Sequence, residues 1–339
     1  MAVNYSGKKR SSLKDIKSRL FQCGLCNGQI VDRKEMACGH NFCMKCYQEK
    51  NKRSNVDNSE VCPKCNHRSR LPSDRGWKLH SPRGVSPMPG GGFAKVENVD
   101  GIIKTYHMEG NSFNAESGFK ARQKLESGKF SCPWDVAIDK DGVYFVTDST
   151  PYVNVYDENG KFARQFFTKS PDNEASNDKE DGDFALCGIA LNRFGQLLVG
   201  EINDKYISLL RTNGVFLSSF AVDVKPNFLA VTPNGDIVVS ACEGRVALIV
   251  DENGNKKCEI SPPTGVTSWC PTGVACTKKG ELFVANRLGE VGIYRYTSEG
   301  KYIGPVTKNV ITPWGLAVSE CDKFLFVSDE RDYSTFRLR

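Results

Sequence analysis

Residues 133–166 read PWDVAIDKDGVYFVTDSTPYVNVYDENGKFARQF. Three short runs of β-branched and aromatic residues come first, then a D-E-N-G turn and a fourth run. Such residues suit the pleated, half-buried surface of a strand, and Asp, Asn and Gly supply the tight turns that join antiparallel neighbours. The stretch therefore predicts one four-stranded antiparallel unit.

It is not alone. Related copies follow at 187–220 (CGIALNRFGQLLVGEINDKYISLLRTNGVFLSSF), 226–260 (PNFLAVTPNGDIVVSACEGRVALIVDENGNKKCEI), 271–304 (PTGVACTKKGELFVANRLGEVGIYRYTSEGKYIG) and 313–339 (PWGLAVSECDKFLFVSDERDYSTFRLR), and a degenerate first copy begins at Pro82. The equivalent apolar positions are Val85, Val136, Ile189, Leu229, Val274 and Leu316, spaced 51, 53, 40, 45 and 42 residues apart. A period of this size marks a repeat architecture, and six four-stranded units fit an all-β six-bladed propeller over residues 82–339 rather than a sandwich. The last copy supplies three strands. RGWKLH at 75–80, within a short linker at 71–81, is expected to be the fourth, closing the ring and covering its open edges.

These copies resemble NHL repeats, with a P-x-G-V-A start, a central G-x-[IL]-x-V-[AT]-[DEN] and an N-G-K-F turn. The resemblance implies a propeller that selects a partner through the loops on one face.

Ahead of the repeats, seven of the 14 cysteines fall within 43 residues, as C-x2-C (Cys23, Cys26), C-x-H-x2-C-x2-C (Cys38, His40, Cys43, Cys46) and C-x2-C (Cys62, Cys65). Eight ligand-type residues in four close pairs predict two closed tetrahedral Zn2+ sites, structural rather than catalytic. Between Cys23 and Cys65 the large apolar side chains are few, so metal is expected to supply most of the folding free energy, on the order of 10 kcal/mol or more per site. The other seven cysteines show no paired spacing. They are expected to be buried apolar residues, with Cys258 set apart by Lys256 and Lys257 before it.

The ligand order resembles the RING finger, here residues 21–70. The resemblance implies a cross-brace, with Cys23, Cys26, Cys43 and Cys46 on one ion and Cys38, His40, Cys62 and Cys65 on the other. It also implies docking of a ubiquitin-conjugating enzyme against Leu25 and Pro63. Lys50 stands where many active RINGs carry Trp or Leu, and Asn66 where Arg or Lys often steadies ubiquitin. The expectation is a RING-type ubiquitin ligase that acts by positioning, with no cysteine carrying ubiquitin, and a propeller that recruits a protein substrate. The alternative is a non-catalytic RNA- or protein-binding scaffold.

Charge bears on the partner. Residues 1–80 carry 17 Lys and Arg against 7 Asp and Glu, whereas the remainder carries 29 against 33. An acidic repeat domain disfavours RNA, which needs a concentrated basic face, although Arg245, Lys278, Lys279 and Arg287 could form a local patch. A propeller active site is disfavoured because His107 is the single histidine after residue 81. The repeated acids Asp148, Glu201 and Asp329 are expected to cap turns. Residues 168–183 form an acidic insertion, expected to be solvated. Ser12 is expected to cap a short helix bearing Leu13, Ile16 and Leu20 in a basic leader at 1–20. No run of about 18 apolar residues occurs, so no membrane-spanning helix is expected. The leader has no apolar stretch of the secretory kind, so the expected location is intracellular, cytoplasmic with the nucleus as an alternative.

Overall fold

In a computed structural model the described residues are 82–338 apart from 110–111, 122–130, 149, 170–184, 308–309 and 331. Before them, residues 23, 25–26, 28, 33–35, 41–51, 59–61, 63–64 and 68–70 are described. The leader helix, the closing strand at 75–80, most of the acidic insertion, and Cys38, His40, Cys62, Cys65 and Asn66 lie outside them. The chain divides into two compact units, the second beginning at Leu79.

In the first unit β1 (Arg33–Glu35) pairs antiparallel with β2 (Asn41–Cys43), placing Lys34 opposite Phe42. The helix α1 (Met44–Asn51) follows without a break, and β3 (Ser59–Val61) pairs with β4 (Arg68–Arg70). The apolar centre is small: Phe42, fully buried, with Cys23 and Cys43, and Leu25, Cys46 and Tyr47 packed against them.

The second unit holds the repeats as successive antiparallel sheets. The first is β5 (Pro82–Pro87), β6 (Phe93–Glu97), β7 (Ile102–Glu109) and β8 (Ser112–Lys120). The second is β9 (Asp135–Ile138), β10 (Tyr144–Thr147), β11 (Tyr152–Tyr156) and β12 (Phe162–Phe167), the four strands of the diagnostic stretch. The third is β13 (Leu186–Leu191), β14 (Gln196–Glu201), β15 (Tyr206–Arg211) and β16 (Phe216–Ala221), and the fourth β17 (Phe228–Val231), β18 (Ile237–Ala241), β19 (Val246–Val250) and β20 (Lys256–Ile260). The fifth is β21 (Pro271–Cys276), β22 (Leu282–Asn286), β23 (Gly292–Tyr296) and β24 (Tyr302–Thr307). The sixth has three described strands, β25 (Leu316–Val318), β26 (Phe324–Asp329) and β27 (Asp332–Arg337).

Burial falls from the axis outward. Strand β10 is buried at every position, whereas most of β12 is exposed. Each innermost strand contacts the next, β5 with β9, β9 with β13, and so on to β25, which returns to β5. Val85, Val136, Ile189, Leu229, Val274 and Leu316, the six equivalent positions of the repeat, all line one central cavity of about 220 Å³. This is a closed six-bladed propeller.

The glycine of the repeat's opening segment has a spatial cause. A Cβ on Gly273 would lie 2.5 Å from the backbone nitrogen of Leu316, and one on Gly188 would lie 2.8 Å from the Cα of Phe228. Only a residue without a side chain lets the inner strand of the following blade come this close.

Closure between the last blade and the first is aromatic. Phe93 stacks on Tyr106 and on Phe326, each at 4.6 Å between ring centroids, and Phe113 meets Phe324 and Phe326 edge-on. Tyr333 donates its hydroxyl hydrogen to the carbonyl of Phe113 at 2.6 Å, and Ser328 donates to the carbonyl of Arg83.

Three expectations about the scattered cysteines need correction. Cys132 and Cys321, expected to be buried, are exposed. Cys242 and Cys270, treated as separate thiols, are joined by a disulfide with Cα atoms 4.6 Å apart, linking the fourth blade to the entry of the fifth. Cys258, suspected of thiolate character, goes the other way: burial pushes its thiol up and outweighs Lys257.

Candidate functional site

The metal centre is built from two adjacent chain segments. A tight turn, closed by the Cys23 amide donating to the Gly28 carbonyl at 2.9 Å, presents Cys23 and Cys26. The end of β2 and the first turn of α1 present Cys43 and Cys46. The four Sγ atoms lie within 4.8 Å of one another. Tetrahedral zinc with sulfur at 2.3 Å sets its ligands about 3.8 Å apart, so the cluster needs only a slight contraction around an ion.

The electrostatics also call for a cation. Burial pushes the Cys23 thiol up, but amide donors from Cys26, Cys43 and Leu25 outweigh it and hold the group at about 6. Burial and the neighbouring Cys26 and Cys23 push Cys46 up to about 12. One thiolate is welcome and a full set is not unless a positive ion sits among them. The donor set fits Zn2+. Among the described residues this is the one group of cysteine, histidine and carboxylate side chains gathered as a metal site.

Of the expected docking residues, Leu25 and Pro63 are both half-buried, and Leu25 packs on the small core. Lys50 is exposed in the last turn of α1.

On the propeller the repeated acids are structural acceptors. Asp148 takes hydrogen bonds from the Thr150 amide and hydroxyl and from Asn154 Nδ2. Glu201 takes them from the amides of Ala185, Asn203 and Asp204, and Asp329 from the Ile311 amide and Ser334 hydroxyl. In the fifth blade Asn286 does the same work, accepting from the Cys270 amide and donating to three carbonyls of the loop around it.

The suggested basic patch does not exist as one surface. Lys278 and Lys279 sit in the turn between β21 and β22, whereas Arg245 and Arg287 sit in turns between the second and third strands of their blades. In an up-and-down blade those turns lie at opposite strand ends, so two cations face each way. Among the described residues the wall of the central cavity carries neither histidine nor carboxylate, and His107 is on β7, outside it.

The C3HC4-type zinc finger (RING finger) family matches residues 23–65. No curated protein matches the chain. Among solved structures, a streptogramin B lyase has a TM-score of 0.51 and 14% identity, over 77% of this chain and 84% of that one. A Bacteroides caccae protein of unknown function has 0.51 and 16%, over 70% and 84%. A catalytically inactive virginiamycin B lyase from Staphylococcus aureus, with quinupristin, has 0.50 and 14%, over 76% and 84%. At this identity the likeness concerns the fold. The chain is a RING finger at the N-terminus followed by a six-bladed β-propeller.

Proposed function

We propose that this chain is a RING-type ubiquitin–protein ligase whose propeller recruits a protein substrate. The observation that carries the reading is the gathering of Cys23, Cys26, Cys43 and Cys46 within a segment matching the RING family. The order of domains, with six NHL-like repeats directly after the RING and no B-box between, resembles that of malin. A second structural zinc held by Cys38, His40, Cys62 and Cys65 completes the cross-brace in this reading. Zinc supplies a fixed tetrahedral crosslink, and the chain's own side chains do the rest.

The two zinc loops carrying Leu25 and Pro63 dock a ubiquitin-conjugating enzyme, while the propeller holds the substrate. Holding a charged conjugating enzyme beside a lysine raises the effective concentration of the attacking amine. No cysteine carries ubiquitin: the RING thiols belong to metal. Lys50 and Asn66 predict that recruitment is stronger than activation of the thioester. The expected setting is intracellular, mainly cytoplasmic.

The decisive experiment is autoubiquitination by the full chain with a panel of conjugating enzymes. Chains formed with at least one of them, and lost in Leu25→Ala, are the expected result. No product with any of them, beside an active control ligase, would overturn the ligase reading in favour of a binding scaffold.

A further inference from the structure

Arginine and tryptophan side chains cluster at one mouth of the propeller's central channel. Arg83, Trp134 and Trp314 each stand two residues before the cavity-lining Val85, Val136 and Leu316, so they gather at one mouth of the central channel. Both Arg83 and Arg287 lie over the Trp314 indole, with Cζ 3.8 and 4.2 Å from its ring centroid, and Arg83 lies 4.8 Å from the Trp134 ring. The two indoles meet edge to face at 6.1 Å, and Trp134 also packs beside Phe228.

The backbone holds these groups in place. The Arg287 amide donates to the Cys270 carbonyl, and Asn286 pins the loop that follows it. Trp134 donates its indole N–H to the Asn227 carbonyl at 3.3 Å, and the Trp134 and Trp314 amides are bonded to β10 and β26.

The charges are not neutralised. Among the described residues neither guanidinium has a carboxylate partner within 4 Å, and the buried Nε of each has no hydrogen-bond partner. Burial, and then the charge of Arg287, pull Arg83 down to about 10. Asp135, close by, spends its oxygens on the amides of Val136 and Ile189. Two like charges on one aromatic platform, each with an idle donor, are unfavourable as they stand, and an anion would relieve both.

We infer that this mouth is a receptor site for the C-terminal carboxylate of a protein partner whose last side chain is apolar. The two Cζ atoms can be no more than about 8 Å apart, so a carboxylate held by one guanidinium also lies in the field of the other. The half-buried indoles of Trp134 and Trp314 give the terminal side chain an apolar wall. A C-terminal residue carries its carboxylate and its side chain on one Cα, so a single residue can meet both the guanidiniums and the indole wall, whereas Asp or Glu brings the charge alone. A polynucleotide is disfavoured because the cations number two at this mouth on a domain of net negative charge. The inference rests on the substrate reading above and gives that recruitment its chemistry.

The test measures binding, not transfer, so its failure and that of the ligase reading remain separate. Fluorescein-labelled octapeptides, randomised except for a final Leu, are titrated onto the full-length zinc-loaded chain in two pools, one with a free C-terminal carboxylate and one amidated. A six-nucleotide oligouridylate forms a third arm. The free-acid pool is expected to raise anisotropy, and amidation or Arg287→Gln to weaken it roughly tenfold to a hundredfold. Arg83→Lys, which keeps charge but loses the planar fork, is expected to weaken it less. Variants are compared at unchanged melting temperature. Equal binding of both pools, no binding of either, or tight binding of the oligonucleotide alone would overturn the proposal.

Discussion

The RING and the propeller solve the same problem, ordering a chain in water, by opposite means. The RING gathers four thiols within 4.8 Å around a core of a few side chains. The propeller buries its strands blade against blade and closes the ring with aromatic contacts between the two ends of the repeat array. One unit depends on an ion and on thiolates, the other on apolar area and close backbone approach. Their vulnerabilities should therefore be separable.

The largest effect expected is on the metal. Cys26→Ala removes one of the four gathered thiols, and the site loses binding free energy on the order of 10 kcal/mol. Residues 21–70 should unfold, with zinc content falling and protease sensitivity confined to that segment, while the strand signal in circular dichroism persists. Loss of the strand signal in the same variant would show that the two units share their stability.

Next comes the closing contact of the ring. Phe93 is fully buried and meets Tyr106, Phe113, Phe326 and Tyr333. Phe93→Ala should lower propeller stability by about 3–5 kcal/mol, from lost transfer free energy and the cavity left behind. Urea unfolding read on strand signal checks this, and zinc content should not change. A shift below about 1 kcal/mol would mean that closure is carried elsewhere.

How much of this the sequence disclosed follows the range of the interactions. The six blades were legible because strand alternation and turn residues are local, and a period repeated across residues 82–339 reinforces them. The thiol cluster was legible because a C-x2-C turn puts two ligands on one loop. What escaped was long-range. Nothing near Phe93 in sequence points to Phe326, or near Arg83 to Trp314 and Arg287, and Cys242 gives no sign of Cys270. The supposed patch of Arg245, Lys278, Lys279 and Arg287 failed because closeness in sequence does not say which end of a strand a turn occupies. Cys258 failed because burial, invisible in sequence, outweighed the lysine beside it.

The two units should also differ in the sign of their pH dependence. Burial raises Asp135 to about 8, against amide hydrogen bonds from Ile189 and Val136 that lower it. The native propeller thus keeps a proton that the unfolded chain releases near pH 4. A carboxyl raised in the folded state makes stability fall as pH climbs from about 4 to about 8, with no effect below that window. The RING runs the other way, since acid protonates its thiolates and releases metal. Urea unfolding on strand signal, at steps from pH 4 to 9, should therefore show Asp135→Asn gaining on the native sequence as pH rises, then levelling off. Parallel curves for the two proteins would mean that Asp135 is charged in the fold, and that the ring tolerates a buried carboxylate between its first three blades.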